Sequence, residues 1–558
     1  MREQSIEIAQ RSTLKPIHEI TSALGLEEDE VEPWGRHSAK ISLQVLKRLE
    51  DRPQGRLILV TAMTPTRFGE GKTLTTVGLG QALPRIGKKG AITLREPSVG
   101  PVFGVKGGGC GGGHAQVAPQ EKINLHFNGD LHAITTAHNL MAALLDNHIY
   151  RGNELGIDVR QVLWPRAMDM NERALRQIVI GLGGLINGIP RESGFIMTSA
   201  SEIMAILGLT SSRADFKRRL GEIVVALDGD QRLIKAAQLN AQGSMAAVLN
   251  DAVEPNLVQT LEHTPAFIHA GPFANIAHGT CSVLSNRMAL RLADYVVTEA
   301  GFAADLGAEK FFNLVCRSSG LWPSAVVIVA TCQALKHHGG IEASHIQQEN
   351  TEALRKGFVN LQAHIRNIRK FGVPAVVGIN RFPFDSDAEI ATVEELCQEI
   401  GASCQPHEAF MKGGEGAEAL ARKAVEAADA AGAPQPRFTY ELSDDPKEKI
   451  RKVATEIYGA DGVVFDPAAE KSLKAFWEAG YGELPVCMAK TQSSISDNPA
   501  ALGAPRGWKL RVNEVRLSAG AGFLVVVCGN MMLLPGLPKA PSAMRIDVDG
   551  AGKISGLF

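Results

Sequence analysis

The stretch from Leu57 to Leu83 constrains the fold of this chain more than any other. An aliphatic run, Leu57 to Ala62, leads into Thr64-Pro-Thr-Arg-Phe-Gly-Glu-Gly-Lys-Thr73 and then into a helical pattern, Leu74 to Leu83. A strand that delivers a glycine loop to a helix N-terminus gathers backbone N–H groups and the positive end of the helix around one point, which suits phosphate. Gly69 and Gly71 supply the backbone freedom, Lys72 reaches terminal phosphates, and the Thr73 hydroxyl suits magnesium. On this reading Thr66, Arg67, Phe68, Gly69, Glu70, Gly71, Lys72 and Thr73 form the nucleotide loop of a P-loop domain. Thr66 stands where the G-x-x-x-x-G-K-[ST] pattern begins with glycine, and a plain glycine turn at a strand–helix junction is the competing reading.

Further aliphatic runs at Ala91 to Leu94, Tyr295 to Thr298, Ala325 to Thr331 and Val373 to Ile379 alternate with helical patterns. Runs without polar alternation predict parallel strands covered on both faces, hence an α/β fold with a parallel-sheet core and smaller α+β domains. The 558 residues suit about three to four domains. The expected units are a P-loop domain over 1–304 with an α+β insertion near 175–253, a second α/β domain over 305–432, and a C-terminal α+β domain over 437–558. The best linker is Gly432-Ala-Pro-Gln-Pro436, which follows the helical, Ala/Glu-rich stretch Gly413 to Ala431.

Bulk charge recruits neither nucleic acid nor an anionic membrane, because 58 Lys and Arg against 60 Asp and Glu leave a net charge of −2 without a block of one sign. The eight cysteines include no C-x-x-C pair and several sit in apolar strings, the usage of reduced thiols in a cytoplasmic protein. No signal peptide is visible in Met1 to Leu26. Leu517 to Pro538 is uncharged, but its glycines and prolines predict a buried strand, Phe523 to Cys528, rather than a membrane span. His126, His132 and His138 recur every six residues, which matches no zinc spacing, and no G-x-S-x-G elbow is present.

Several longer motifs accompany the loop: Leu94-Arg-Glu-Pro-Ser-Val-Gly-Pro101, Lys106-Gly-Gly-Gly-Cys-Gly-Gly-Gly113, Ile123-Asn-Leu-His-Phe-Asn-Gly-Asp130 and Pro535-Gly-Leu-Pro-Lys539. With the loop they resemble the formate–tetrahydrofolate ligase family, over nearly the whole chain. The resemblance implies ATP-dependent formylation of N10 of tetrahydrofolate through formyl phosphate, with magnesium and a monovalent cation (K+ or NH4+), in a cytoplasmic homotetramer. Formate and a γ-phosphate are both anions, so their reaction needs cations, and Lys72 and Arg95 are the candidates. Arg95 follows a strand at the end where α/β folds bind ligands, although an Arg95–Glu96 surface pair is the plainer reading. Glu96 matches the family position near the monovalent cation. Asp130 matches a family carboxylate suited to take the N10 proton, and a turn aspartate is its alternative. Phe302 and Phe382 match aromatics that stack on the pterin, and Phe410 stands where the family carries a tryptophan. The glycine cluster Gly107 to Gly113 implies a backbone that approaches something closely, or moves.

The chain departs from the family pattern where function would be felt. Arg67 and Phe68 replace Pro-Ala in the loop, Leu74 replaces a threonine, and Asn530 and Leu533 replace a carboxylate and a hydroxyl. Such changes leave two alternatives: a ligase for another small carboxylate or acceptor, or a nucleotide-binding regulator without formyl transfer.

Overall fold

The computed structural model describes residues 4–104 and 108–557; Lys106 and Gly107 of the glycine-rich motif, and Phe558, lie outside them. In chain order, the elements that build the site begin with β1 (Val31–Pro33), β2 (Ala39–Ile41), β3 (Arg56–Ala62), α1 (Lys72–Arg85), β4 (Gly90–Leu94) and α2 (Asp130–Tyr150). They continue with α3 (Glu202–Leu209), β5 (Asn256–Thr260), β6 (Pro265–Ile268), β7 (Tyr295–Glu299), β8 (Ala325–Ala330) and α4 (Cys332–His338). The series ends with α5 (Thr351–Lys370), β9 (Ala375–Asn380), α6 (Asp387–Glu399), β10 (Ser403–His407) and α7 (Glu418–Ala430).

These ten strands line up as β1-β2-β5-β6-β4-β7-β3-β8-β9-β10 within one 12-stranded sheet. From β6 to β10 every neighbouring pair is parallel, and β1, β2 and β5 close one edge antiparallel. The aliphatic run of β3 follows from its place in the middle. Leu57 and Leu59 enter the core shared with Leu354 and Leu361 of α5, while Ile58 and Val60 enter the core shared with Val77 of α1 and Leu420 of α7. A strand buried on both faces has no use for polar alternation.

Each aliphatic run read as a strand is one, within two residues of the expected ends. The expected break between 304 and 305 falls inside the sheet, because Ala325 to Val329 of β8 pair in register with Ile58 to Ala62 of β3. Strand order is set by contacts distant in sequence, which local periodicity does not carry. Small separate sheets occupy Ile157 to Lys235, and Gly432 to Pro436 is an exposed connection. Phe523–Val527 is the buried middle strand of a three-stranded sheet. Among the described residues, no helix is long and apolar enough to cross a membrane.

Candidate active site

Seven parallel strands point their carboxyl ends to one side of the sheet, and the residues that follow them collect there. The loop after β3 is held from beneath. Glu70 is buried and accepts from the Thr66 backbone N–H (2.6 Å) and from the Thr331 hydroxyl, just past β8. Asn380, the last residue of β9, donates from Nδ2 to the Glu70 carbonyl (3.2 Å). Gly71 caps α1 with φ of 78°, and a Cβ there would lie 2.4 Å from Asn380 Nδ2, so conformation and space both demand glycine. The loop is thereby shaped by the strands on one side of it before any ligand arrives. Helix α1 begins at Lys72, with its free N–H groups turned to the loop.

A charged group surrounds the helix start. Glu299, the last residue of β7, accepts from Thr73 Oγ1 (2.7 Å) and from Arg95 Nη2 (3.3 Å), with Arg95 one residue past β4. Arg95 is thus tied to the loop through Glu299, and is no surface partner of its neighbour Glu96. Its Nε is buried without a hydrogen-bond partner. Loss of hydration lowers the Lys72 pKa and nearby Arg95 lowers it further, while Glu299 and Glu70 oppose the drop. Lys72 and Arg95 face the acidic Glu299 and Glu70 here, and the unpaired guanidinium N–H of Arg95 is a donor that an anion could use.

A second buried cluster lies behind it. Asp130 starts α2 and pairs with Lys40 of β2 (2.6 Å), while accepting from Asn256 Nδ2 of β5 (2.8 Å). Glu96 hydrogen bonds to Asp130, and burial, then the Asp130 charge, push its carboxyl well above the usual range. Glu96 is therefore the carboxyl that favours keeping its proton. The turn-aspartate reading of Asp130 covers none of this, since its side chain joins two strands to a helix.

Phe302, Phe382 and Phe410 follow β7, β9 and β10 at the same sheet edge, all half-buried. Phe302 sits at φ 59°, and its neighbour Gly301 packs so close to Arg95 that a Cβ would lie 3.0 Å from Nη1. The Phe382 ring stacks on Phe384 (5.4 Å between centroids). Phe410 lies against the glycine cluster, where a Cβ on Gly113 would lie 2.1 Å from the Phe410 carbonyl oxygen. What the backbone of Gly111 to Gly113 approaches closely is thus this chain itself. His126 and His132 stack and hydrogen bond to each other (2.7 Å), and His138 is buried against Ser201 and the Pro165 carbonyl.

Sequence reading missed Glu299, Lys40, Asn256, Asn380 and Thr331. Two of them left a trace: Lys40 is a lone charge inside Ala39-Lys-Ile41, and Glu299 ends an apolar strand just before Gly301 and Phe302.

A mixed α/β fold with a large, mostly parallel sheet and a glycine loop feeding a helix defines a phosphate-handling α/β enzyme. The family model described as formate–tetrahydrofolate ligase matches residues 3–558. The chain belongs to that family of ATP-dependent ligases, whose substrates are formate, ATP and tetrahydrofolate.

Proposed function

We propose that the chain joins formate to N10 of tetrahydrofolate in two steps, and that the Lys72–Arg95–Glu299–Thr73 group carries the first. The observation that carries this reading is the buried, unpartnered Nε of Arg95 beside the desolvated Lys72. A formate oxygen attacks the γ-phosphorus of ATP, the bond to ADP breaks, and formyl phosphate forms. Lys72 and Arg95 offset the charge that grows on the phosphoryl oxygens. N10 then attacks the formyl carbon and phosphate leaves. Asp130, whose carboxyl group pairs with Lys40, takes the N10 proton. Phe302, Phe382 and Phe410 wall the pterin slot.

The Thr73 hydroxyl and the Glu299 carboxylate are hard oxygen donors, a set that fits magnesium. When bound, the ion supplies positive charge to the phosphate oxygens. Glu96 and Asp130 place carboxyl oxygens, hard donors, in one buried site, which fits a monovalent cation whose charge would offset the burial that favours the proton on Glu96. The same resemblance supports a cytoplasmic homotetramer serving one-carbon metabolism, which sedimentation and fractionation would check.

The test is formation of 10-formyltetrahydrofolate from formate, Mg-ATP and tetrahydrofolate with potassium, each omitted in turn. With [18O]formate, one labelled oxygen should appear in the released phosphate; unlabelled phosphate would sink the two-step route. Lys72→Ala and Arg95→Ala should each lower kcat by at least about 100-fold with the melting temperature little changed. Near wild-type turnover in either variant would remove that residue from phosphoryl transfer.

A further inference from the structure

The two residues that set this phosphate loop apart from its family, Arg67 and Phe68, form a unit of their own. Both are exposed, Phe68 to 52 %, and the Arg67 guanidinium lies 4.8 Å from the Phe68 ring centroid. Exposing a phenyl ring to water is unfavourable, and cation–π contact with Arg67 covers part of it. The backbone beneath is fixed: Phe68 N–H donates to Thr66 Oγ1 (3.2 Å) and Gly69 N–H to the Thr66 carbonyl (3.2 Å). The pair is presented at the tip of a tight turn, four and five residues before Lys72. The same loop is clamped to the end of β9 by the Asn380–Glu70 hydrogen bond, two residues before Phe382.

A ligand that suits an exposed aromatic ring beside a guanidinium is itself an aromatic ring that carries a carboxylate. Tetrahydrofolate has that chemistry next to its reacting atom, since N10 is bonded directly to a benzoyl ring that ends in glutamate. N10 must come to the phosphoryl site at Lys72, and the loop that carries Arg67 and Phe68 is the one that ends at Lys72. We infer that Phe68 stacks on the aminobenzoyl ring of the folate and that Arg67 pairs with the glutamate carboxylates, making the loop a reader of the acceptor's tail as well as a phosphate cradle. The inference rests on the ligase reading above, and it assigns the loop substitutions to acceptor recognition.

The experiment compares three compounds in the full-length enzyme: tetrahydrofolate, tetrahydropteroate, which lacks the glutamate, and a tetrahydropterin without the aminobenzoyl group used as a competitive inhibitor. Phe68→Ala should raise KM for the first two alike, by about tenfold, and Phe68→Tyr should restore it. Arg67→Ala should raise KM for tetrahydrofolate by about fivefold and leave tetrahydropteroate unchanged. KM for ATP and the inhibition constant of the tetrahydropterin should stay put in every variant. A raised KM for ATP with unchanged KM for tetrahydrofolate would overturn the assignment and give the pair to the nucleotide. A rise common to all three compounds would overturn it too, by marking a distorted loop. Absence of any formylated product in the unmodified enzyme is a different failure, that of the ligase reading itself.

Discussion

Lys40 and Asp130 are both almost wholly removed from water, 2.6 Å apart, and each is what makes the other tolerable there. A buried pair adds little over an apolar pair of the same volume, yet losing one partner strands a charge at a cost of about 3–5 kcal/mol. Lys40→Met should therefore destabilise the fold by about that amount in urea unfolding, with Asp130 and Glu96 left facing each other. Asp130→Asn in the Lys40→Met background removes the stranded charge, keeps the Asn256 contact, and should recover about half of the loss. Equal stability of Lys40→Met and the parent would mean that water reaches the cluster. On the proposed mechanism the double variant regains stability without regaining turnover, which separates the structural part of Asp130 from its chemical part.

At the scale of elements, the hairpin formed by Gly111–Gly112 and Ala115–Ala118 shows why glycine fills the preceding motif. Gly113 sits at φ 59°, and its missing Cβ leaves room for the Phe410 carbonyl, which accepts from His114 N–H (2.9 Å). Gly113→Ala brings both backbone strain and a clash with a main-chain atom, so a loss of about 2–4 kcal/mol is expected, read as a lower urea midpoint. A loss below about 1 kcal/mol would show that the hairpin can lift away from Phe410. The sequence announces this hairpin only as glycine excess, because its partner lies some 300 residues on. Five of the seven parallel strands, by contrast, were legible from their uninterrupted aliphatic runs, as was the helix that Gly71 starts. Arg95 and Glu96 could be placed because they follow such a run directly, and Lys72 because the glycine loop joins one to a helix. Glu299 and Asn380 occupy equivalent strand ends, but single polar residues there become meaningful only once β7 is known to lie beside β3 and β9 beyond β8. The short strands β6 and β10 escaped for the opposite reason: each carries a proline, and β10 is a half-buried edge strand with little apolar signal.

For the whole molecule, the question is how the last hundred residues are held to the rest of the chain. Two of the polar contacts that do it differ in kind. Lys490 pairs with Asp305 (2.7 Å), shortly after Phe302, while Glu202 at the start of α3 accepts from the Gly520 (2.7 Å) and Ala521 (3.1 Å) backbone N–H groups. Arg219 donates to the carbonyls of the same two residues, so a carboxyl and a guanidinium grip one turn from opposite sides. Burial pushes the Glu202 carboxyl up to about 7, although the two N–H donors pull it down. A carboxyl that is more basic folded than unfolded binds its proton more tightly in the folded state. Its contribution is then complete below the unfolded value near 4.5 and fades as pH rises through about 7. Glu202→Gln retains a carbonyl oxygen for both N–H groups but has no proton to lose. Relative to the parent, the variant should gain on the order of 2–3 kcal/mol between pH 5 and pH 8, read from urea unfolding at each pH. A difference between variant and parent that stays constant over that range would mean Glu202 remains hydrated, with the turn at Gly520 held by Arg219 alone.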